Sequence, residues 1–241
     1  MRAGFWYRLV IVVVRPLLRA LTVRDWQGLA NLPATGGFVL CPNHVSYIDP
    51  LIVAHLLVDQ GRPGRFLAKA ELFELPVIGR LLRGAGQIPV YRASREASAA
   101  YQAAVQAVRD GECVIVYPEG TITRDPQGWP MVGKTGAARI ALATGAPVVP
   151  LAQWGPQELL APYARRLRLG ARTRVHLRVC PPVDLSAYVG LEPTPEVLRA
   201  MTAAIMRELA VAVGELRGQV PPAEQYDPKR AGQHSEGISE P

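Results

Sequence analysis

The segment Cys41-Pro42-Asn43-His44-Val45-Ser46-Tyr47-Ile48-Asp49-Pro50 places a histidine and an aspartate five residues apart, directly after the apolar run Gly37-Phe38-Val39-Leu40. A neutral imidazole can take a proton from a hydroxyl near neutral pH. A carboxylate on its other nitrogen holds the tautomer and stabilises the imidazolium that forms. The same residues also have a structural reading. Ser46-x-x-Asp49 has the spacing of a capping box, and Asp49-Pro50 reads as an N-cap followed by proline in the first helical turn. Both readings stand on the spacing alone. The chemical one needs no serine or cysteine nucleophile if the substrate brings the hydroxyl. A hydrolase built on Cys41 and His44 is a further option, although a cysteine at a strand end is commonly a small core residue.

Other residues suit an anion. Arg92 ends the run Gln87-Ile88-Pro89-Val90-Tyr91 and has the fork geometry that grips a phosphate through two parallel hydrogen bonds. Pro118-Glu119-Gly120-Thr121-Ile122-Thr123-Arg124 puts Glu119, Gly120, Thr121 and Arg124 in one loop, where glycine admits close backbone approach and Thr and Arg donate to phosphate oxygens. Lys69 and Arg83 belong to the same region of the chain. The stretch 165–178 holds six arginines and no acid. It reads as a head-group or nucleic-acid face, or as a solvated one.

These residues need elements to position them. Six short runs, 37–42, 65–70, 87–92, 113–118, 147–152 and 174–179, read as strands, several of them continuously apolar as expected for strands covered on both faces. Between them, 50–59, 76–83, 94–109, 134–144 and 195–217 read as helices, with Ser94 as a cap and Gly111 as a stop for the third. Alternating strands and helices predict an α/β domain with a largely parallel sheet flanked by helices. In such sheets ligands sit outside the carboxyl ends of the strands. His44, Arg92, the 118–121 loop and Gln153-Trp154-Gly155 all fall at strand exits, so they can converge.

The first 24 residues are strongly apolar but carry arginines at 8, 15, 19 and 24, and the longest charge-free run, Leu9–Val14, has six residues. A spanning helix needs about 20 mostly apolar residues, and a signal peptide needs a longer charge-free core. Arg8, Arg15 and Arg19 share one helical face, with Phe5, Trp6 and Tyr7 at the start. The pattern predicts an N-terminal amphipathic membrane-interface helix with its arginines toward anionic head groups; a helix packed on the core is the competing reading. Pro16 is expected to kink either one. The domain plan is then 1–30 as an interfacial helical segment, 31–217 as the α/β domain, and a Pro-rich polar tail, 218–241, expected to be disordered.

The chain has 241 residues and a net charge of +7, with 24 Arg but only 3 Lys. This balance favours anionic partners without choosing among nucleic acid, anionic lipid and phosphorylated substrates. Cys41, Cys113 and Cys180 lie far apart with no metal-ligand spacing, which suits a reducing cytosol and no metal site.

Four motifs in this order resemble the 1-acyl-sn-glycerol-3-phosphate (lysophosphatidic acid) acyltransferases of the glycerolipid acyltransferase superfamily. They are Asn43-His44-x4-Asp49, Ile88-Pro89-Val90-Tyr91-Arg92, Pro118-Glu119-Gly120-Thr121, and Val148-Val149-Pro150, with Lys69-Ala70-Glu71-Leu72 and its sequel also typical. The resemblance spans roughly 35–155. Family members often have Arg-Ser after Gly-Thr, where this chain has Ile122-Thr123-Arg124, and this departure bears on the role of Arg124.

The resemblance implies transfer of a fatty acyl group from a thioester, acyl-CoA or acyl carrier protein, to the 2-hydroxyl of 1-acyl-glycerol-3-phosphate, giving phosphatidic acid. His44 would be the general base and Asp49 its orienter, with no acyl-enzyme. Arg92, Glu119, Gly120, Thr121 and Arg124 would form the phosphate site, with Lys69 as a further substrate-binding candidate and Glu119 as a residue that could instead orient Arg92. No cofactor or metal is implied. The implied partners are membrane lipids and the acyl donor, not nucleic acid, at the cytoplasmic face of the cell membrane, as a peripheral or monotopic protein. Acylation of another lipid, a glycolipid or an amino lipid, and a non-enzymatic membrane-binding module are the alternatives.

Overall fold

The computed structural model describes residues 5–91 and 96–232, with side chains described for 11–91 and 98–232. Arg92, Ser94, the side chains of Phe5, Trp6, Tyr7 and Arg8, and the tail from 233 lie outside these residues.

Helix α1 (Phe5–Leu21) is followed without a linker by strand β1 (Thr22–Gln27). The apolar run becomes β2 (Phe38–Pro42), and α2 (Asp49–Asp59) follows with Pro50 in its first turn. Next come β3 (Gly64–Lys69), the short α3 (Glu71–Glu74), α4 (Pro76–Gly84) and β4 (Ile88–Val90). α5 (Glu96–Arg109) leads to β5 (Cys113–Ile115), and α6 (Gly136–Thr144) to β6 (Val148–Trp154). After them stand α7 (Pro156–Leu159), β7 (Thr173–Val179) and α8 (Pro195–Arg217), the last capped by the Thr194 side chain.

The strands form one sheet in the order β1-β7-β6-β2-β5-β3-β4. All neighbours are parallel except β6 and β7. This is the largely parallel α/β sheet that the alternation of elements predicts. Strand side chains alternate between faces, so each central strand serves two cores. Val39, Cys41 and Val114 pack with Ala104, Ile140 and Ile205 of α5, α6 and α8. Phe38, Leu40 and Ile115 pack with Leu18 of α1 and Ile52 and Leu56 of α2. Gly37 lets β2 begin hard against α5, since a Cβ there would lie 1.8 Å from the Val108 carbonyl oxygen.

Two expectations change. The helix ends at Leu21, and residues expected within a helical segment 1–30 instead form β1, an edge strand in parallel register with β7 from Thr22–Thr173 to Gln27–Arg178. Its polar sequence, Thr-Val-Arg-Asp-Trp-Gln, carries no apolar run, which an edge strand does not require. Arg15 and Arg19 of α1, joined by Arg24 of β1, also find an internal partner that the expectation did not include. Arg15, Arg19 and Arg24 converge on the Asp59 carboxylate of α2, Arg19 at 3.8 Å and Arg24 at 3.1 Å. Beside them α1 exposes apolar side chains: Val12 is 68% exposed, Val13 61% and Leu17 53%.

Part of the basic stretch 165–178 is consumed internally. Arg172 donates to the Arg19 and Thr22 carbonyls at the end of α1, both at 2.7 Å, where cations suit the helix dipole. Arg178 pairs with Glu215 at 2.8 Å. The described part of the tail has partners too. The Val132 N–H donates to the Tyr226 carbonyl, and the Gln225 side chain to the Met206 carbonyl, each at 3.0 Å.

Candidate active site

The strand order β6-β2-β5-β3 sets four exits side by side, and each delivers polar residues: Gln153 from β6, Asn43 and His44 from β2, Tyr117 to Gly120 from β5, and Lys69 from β3. Main-chain and side-chain bonds lock these exits. The Asn43 carboxamide imitates a backbone unit toward β6: its Oδ1 accepts the Gln153 N–H at 2.8 Å, and its Nδ2 donates to the Gln153 carbonyl at 3.1 Å. The Gln153 side-chain nitrogen returns a bond to the Asn43 carbonyl.

His44 and Asp49 do meet. His44 Nδ1 lies 2.8 Å from Asp49 Oδ2. The same oxygen accepts the N–H groups of Val45 at 2.7 Å and Ser46 at 2.8 Å. Half of the structural reading holds: the Asp49 carboxylate reaches back to the Ser46 N–H, but Asp49 is not the N-cap of α2, which is Ile48 without a side-chain capping bond, and the same carboxylate holds the imidazole. Ser46 completes the turn, its hydroxyl donating to the Leu160 carbonyl at 2.6 Å. Asp49 has no exposed surface. Burial pushes its carboxyl up, and the bonds from His44, Ser46 and Val45 oppose that rise. With Nδ1 committed, His44 has Nε2 left for a reacting hydroxyl.

Glu119, expected at a phosphate site, has another use. It is 3% exposed. Its Oε1 accepts the His44 N–H at 2.9 Å and its Oε2 the Met131 N–H at 3.1 Å. Burial raises its carboxyl from 4.5 to about 8.

Lys69 and Gly120 line the same cavity as His44. Gly120 has φ +70°, and a Cβ there would lie 2.8 Å from Lys134 Nζ. Thr121 is half-buried in the turn that follows. Arg124 lines a different hollow, of about 390 Å³, with Val45, Trp154 and Tyr163. Ile122, where the resembling family often has arginine, is 2% exposed.

The cavity that His44 opens into measures about 340 Å³. It runs along α2 past Pro50, Leu51, Ala54 and Val58, with α1 and α4 contributing Leu18 and Leu82. From Pro50 to Val58 a helix rises ~12 Å. An apolar channel of that length with a base at one end suits an extended hydrocarbon chain carrying a reactive carbonyl. Cys41 is fully buried within β2, and burial pushes its thiol up, which removes it as a nucleophile. Among the described residues no group of three or more His, Cys, Asp and Glu is placed to hold a metal ion.

Sequence reasoning missed Tyr117 and Lys134 and assigned no role to Gln153. Tyr117 lies against His44, ring centroids 4.3 Å apart. Its signal was its place, between an apolar strand and Pro118-Glu119-Gly120. Lys134 offered a weaker one: it is one of three lysines in a chain that otherwise uses arginine.

A family model described as Acyltransferase matches residues 24–154, more than half of the chain. The 1-acyl-sn-glycerol-3-phosphate acyltransferase of Bacillus subtilis is 29% identical over 179 residues, covering 74% of this chain and 82% of the relative. The enzyme of that name from Borreliella burgdorferi is 29% identical over 159 residues, covering 66% and 60%. A chloroplastic one from Brassica napus is 33% identical over 138 residues, covering 56% and 38%. The chain thus spans less than two thirds of the length of the last two. The crystal structure of the 1-acyl-sn-glycerophosphate acyltransferase PlsC from Thermotoga maritima superposes with a TM-score of 0.63 at 26% identity, covering 89% of this chain and 81% of that one. With a family model matched over more than half of its length and a shared fold beyond it, the chain belongs to the acyltransferase family.

Proposed function

We propose that the protein moves a fatty acyl group from a thioester, acyl-CoA or acyl carrier protein, to the 2-hydroxyl of 1-acyl-glycerol-3-phosphate. The observation that carries this is the His44–Asp49 pair at the mouth of an apolar cavity, with Lys69 on the wall and Lys134 beside Gly120. His44 Nε2 takes the hydroxyl proton as the oxygen attacks the thioester carbonyl. Asp49 holds Nδ1 and stabilises the imidazolium. The C–S bond breaks, and the leaving thiolate takes the proton back from His44. The burial of Cys41 supports direct attack without an acyl-enzyme. The lysines serve the acceptor's phosphate, and Arg92, two residues after β4 in the sequence, is assigned to the same group. The reaction needs no cofactor or metal and no nucleic acid.

The protein works at a membrane, as a peripheral or monotopic enzyme of the cytoplasmic face. No helix among the described residues is long and apolar enough to cross one. Support comes from the apolar outer face of α1 and from α4, which packs beside it and exposes Val77 (69%) and Ile78. Both helices border the cavity, so a lipid chain can enter from the bilayer.

The test is thiol release from a long-chain acyl-CoA, with and without 1-acyl-glycerol-3-phosphate, for wild type and His44→Ala. Acceptor-dependent release that is lost in the variant is expected. Acceptor-independent release makes the protein a thioesterase. Absence of release with both CoA and carrier-protein donors overturns the reading. One observation favours a second acceptor class: the buried Ile122 removes a cation from the phosphate side. A panel containing a lysoglycolipid and a lyso-amino lipid decides between them.

A further inference from the structure

Between Glu158 and Asp184 the chain has six arginines and no acidic residue. Two of the six have internal uses: Arg172 closes the end of α1, and Arg178 pairs with Glu215. Arg166 and Arg168 are exposed, and among the described residues the side chain of neither makes an ion pair or a hydrogen bond. They alternate with Leu167, 41% exposed, and Leu169, 73% exposed. Single exposed leucines are ordinary on a protein surface. Two of them interleaved with unpaired cations put apolar and positive groups side by side on one short loop, which is the composition of an interfacial segment.

The loop is held in place at both ends. Tyr163, near its start, has φ +60° and is the only non-glycine residue of positive φ among the described residues. Such a backbone conformation persists only where the surroundings hold it. Here the Tyr163 hydroxyl donates to the Ile122 carbonyl at 2.7 Å, and its ring meets that of Tyr47 edge-on, centroids 6.2 Å apart. The Arg168 N–H donates to the Leu159 carbonyl at 2.8 Å, next to the Leu160 carbonyl that takes the Ser46 hydroxyl. At the far end Arg172 holds the Arg19 and Thr22 carbonyls, and β7 begins at Thr173 in register with Thr22. The loop therefore runs along the exit edge of the sheet, from the turn that holds His44 and Asp49 to the end of α1.

We infer that the loop from Tyr163 to Gly170 is a second membrane contact and that its partner is an anionic lipid surface: Leu167 and Leu169 enter the head-group layer, and Arg166 and Arg168 meet lipid phosphates. The inference rests on the proposed membrane reading and adds a lipid class to it. The apolar side chains of α1 and α4 do not choose between neutral and anionic bilayers. Unpaired arginines do, because each gains from the negative surface potential and can grip a phosphate with its fork of donors. An acidic protein, such as an acyl carrier protein, would also meet these arginines. The bilayer is favoured because Arg172 ties the loop to α1, whose Val13 and Leu17 are exposed, so one surface can receive both.

The experiment measures sedimentation of the full chain with vesicles of phosphatidylcholine alone and of phosphatidylcholine and phosphatidylglycerol in equal parts. Arg166→Gln combined with Arg168→Gln should weaken binding to the anionic vesicles about thirtyfold, the size expected of two arginines near an anionic surface. Binding to the neutral vesicles should not change, and the difference between the proteins should shrink as salt is raised. Equal binding of wild type and variant to the anionic vesicles overturns the inference, as does an equal loss on both kinds of vesicle. Entry of the loop is read separately. Cys41, Cys113 and Cys180 are buried, so Leu169→Cys supplies one accessible thiol for an environment-sensitive dye. Its emission should move to the blue on anionic vesicles. No move on vesicles that sediment the protein overturns the inference and leaves the membrane reading standing on α1 and α4. Failure of the wild type to sediment with either vesicle removes both. A shift with acyl carrier protein in solution and none on vesicles makes the loop a protein dock and overturns the inference. Thermal melting confirms that the variants are folded, and neither readout requires that a lysophospholipid be acylated.

Discussion

Glu119 and His44, 75 residues apart in the chain, are joined by one bond: Glu119 Oε1 accepts the His44 main-chain N–H at 2.9 Å. The other carboxyl oxygen takes the Met131 N–H at 3.1 Å. A single side chain therefore ties the exits of β2 and β5 to the loop that leads into α6. It fixes the main chain of the base, while Asp49 fixes the ring.

This strap carries a pH signature. Burial moves the Glu119 carboxyl from 4.5 to about 8. Between those values the unfolded chain has released the proton and the folded chain keeps it. The contribution of this group to stability therefore falls as pH rises through that window. Glu119→Gln has no proton to release. The melting temperature of wild type minus that of the variant should decrease as pH is raised from about 4.5 to about 8. A constant difference would mean that Glu119 is ionised throughout.

Asp49 separates catalysis from folding. Asp49→Asn keeps an oxygen for the Val45 and Ser46 N–H groups but loses the charge, so kcat should fall by about 10²- to 10⁴-fold with the fold retained. Asp49→Ala also leaves two buried N–H groups unserved. At about 1–3 kcal/mol each, it should lose about 2–6 kcal/mol of stability in urea denaturation. Equal stabilities for the two variants would contradict the bonding at Oδ2.

Gly120→Ala forces a Cβ to within 2.8 Å of Lys134 Nζ at a backbone angle of φ +70°. The lysine must move away from the site. KM for the phosphorylated acceptor should rise about tenfold, as expected for a lost charge-assisted bond, with KM for the acyl donor nearly unchanged. Equal changes in both would show that Lys134 does not serve the phosphate.

Much of this arrangement was legible in the chain itself, and the division follows a physical rule. Strands β2, β5 and β6 were visible because burial on both faces demands unbroken apolar runs. His44 and Asp49 were visible because they meet across one local turn. β1 was hidden because an edge strand can be polar. Asn43 and Gln153, Glu119 and His44, and Tyr117 against His44 were hidden because their contacts are made between exits whose adjacency is a property of strand order. The meeting of Arg15 and Arg19 with Asp59 was hidden because spacing fixes a shared face but not what that face meets, and Asp59 lies beyond the reach of local pattern.

The outer faces of α1 and α4 can be tested on vesicles. Val13→Asp and Val77→Asp each remove an exposed apolar side chain, worth about 1.5–3 kcal/mol when fully buried. Either change should weaken sedimentation with anionic liposomes by roughly ten- to hundredfold, following that energy, while leaving the melting temperature nearly unchanged. Unaltered binding by the double variant would place the membrane contact elsewhere.

Arg217 of α8 lies between two indoles, 4.0 Å from the Trp129 centroid and 4.3 Å from that of Trp154. Arg217→Ala should cost about 1–3 kcal/mol in urea denaturation. Arg217→Lys should recover only part of it, because a compact ammonium cannot stack on both rings. Neither change should alter KM for the acceptor.

The junction of α1 and β1 has a mechanical meaning. Leu21 ends the helix and Thr22 begins the strand, the Thr22 hydroxyl donates to the Leu18 carbonyl at 2.6 Å, and Arg172 clamps the carbonyls of Arg19 and Thr22. The helix therefore has no swivel. Whatever surface receives α1 receives the whole domain at one attitude, and the mouth of the cavity is aimed by the fold and not by the sway of a leash.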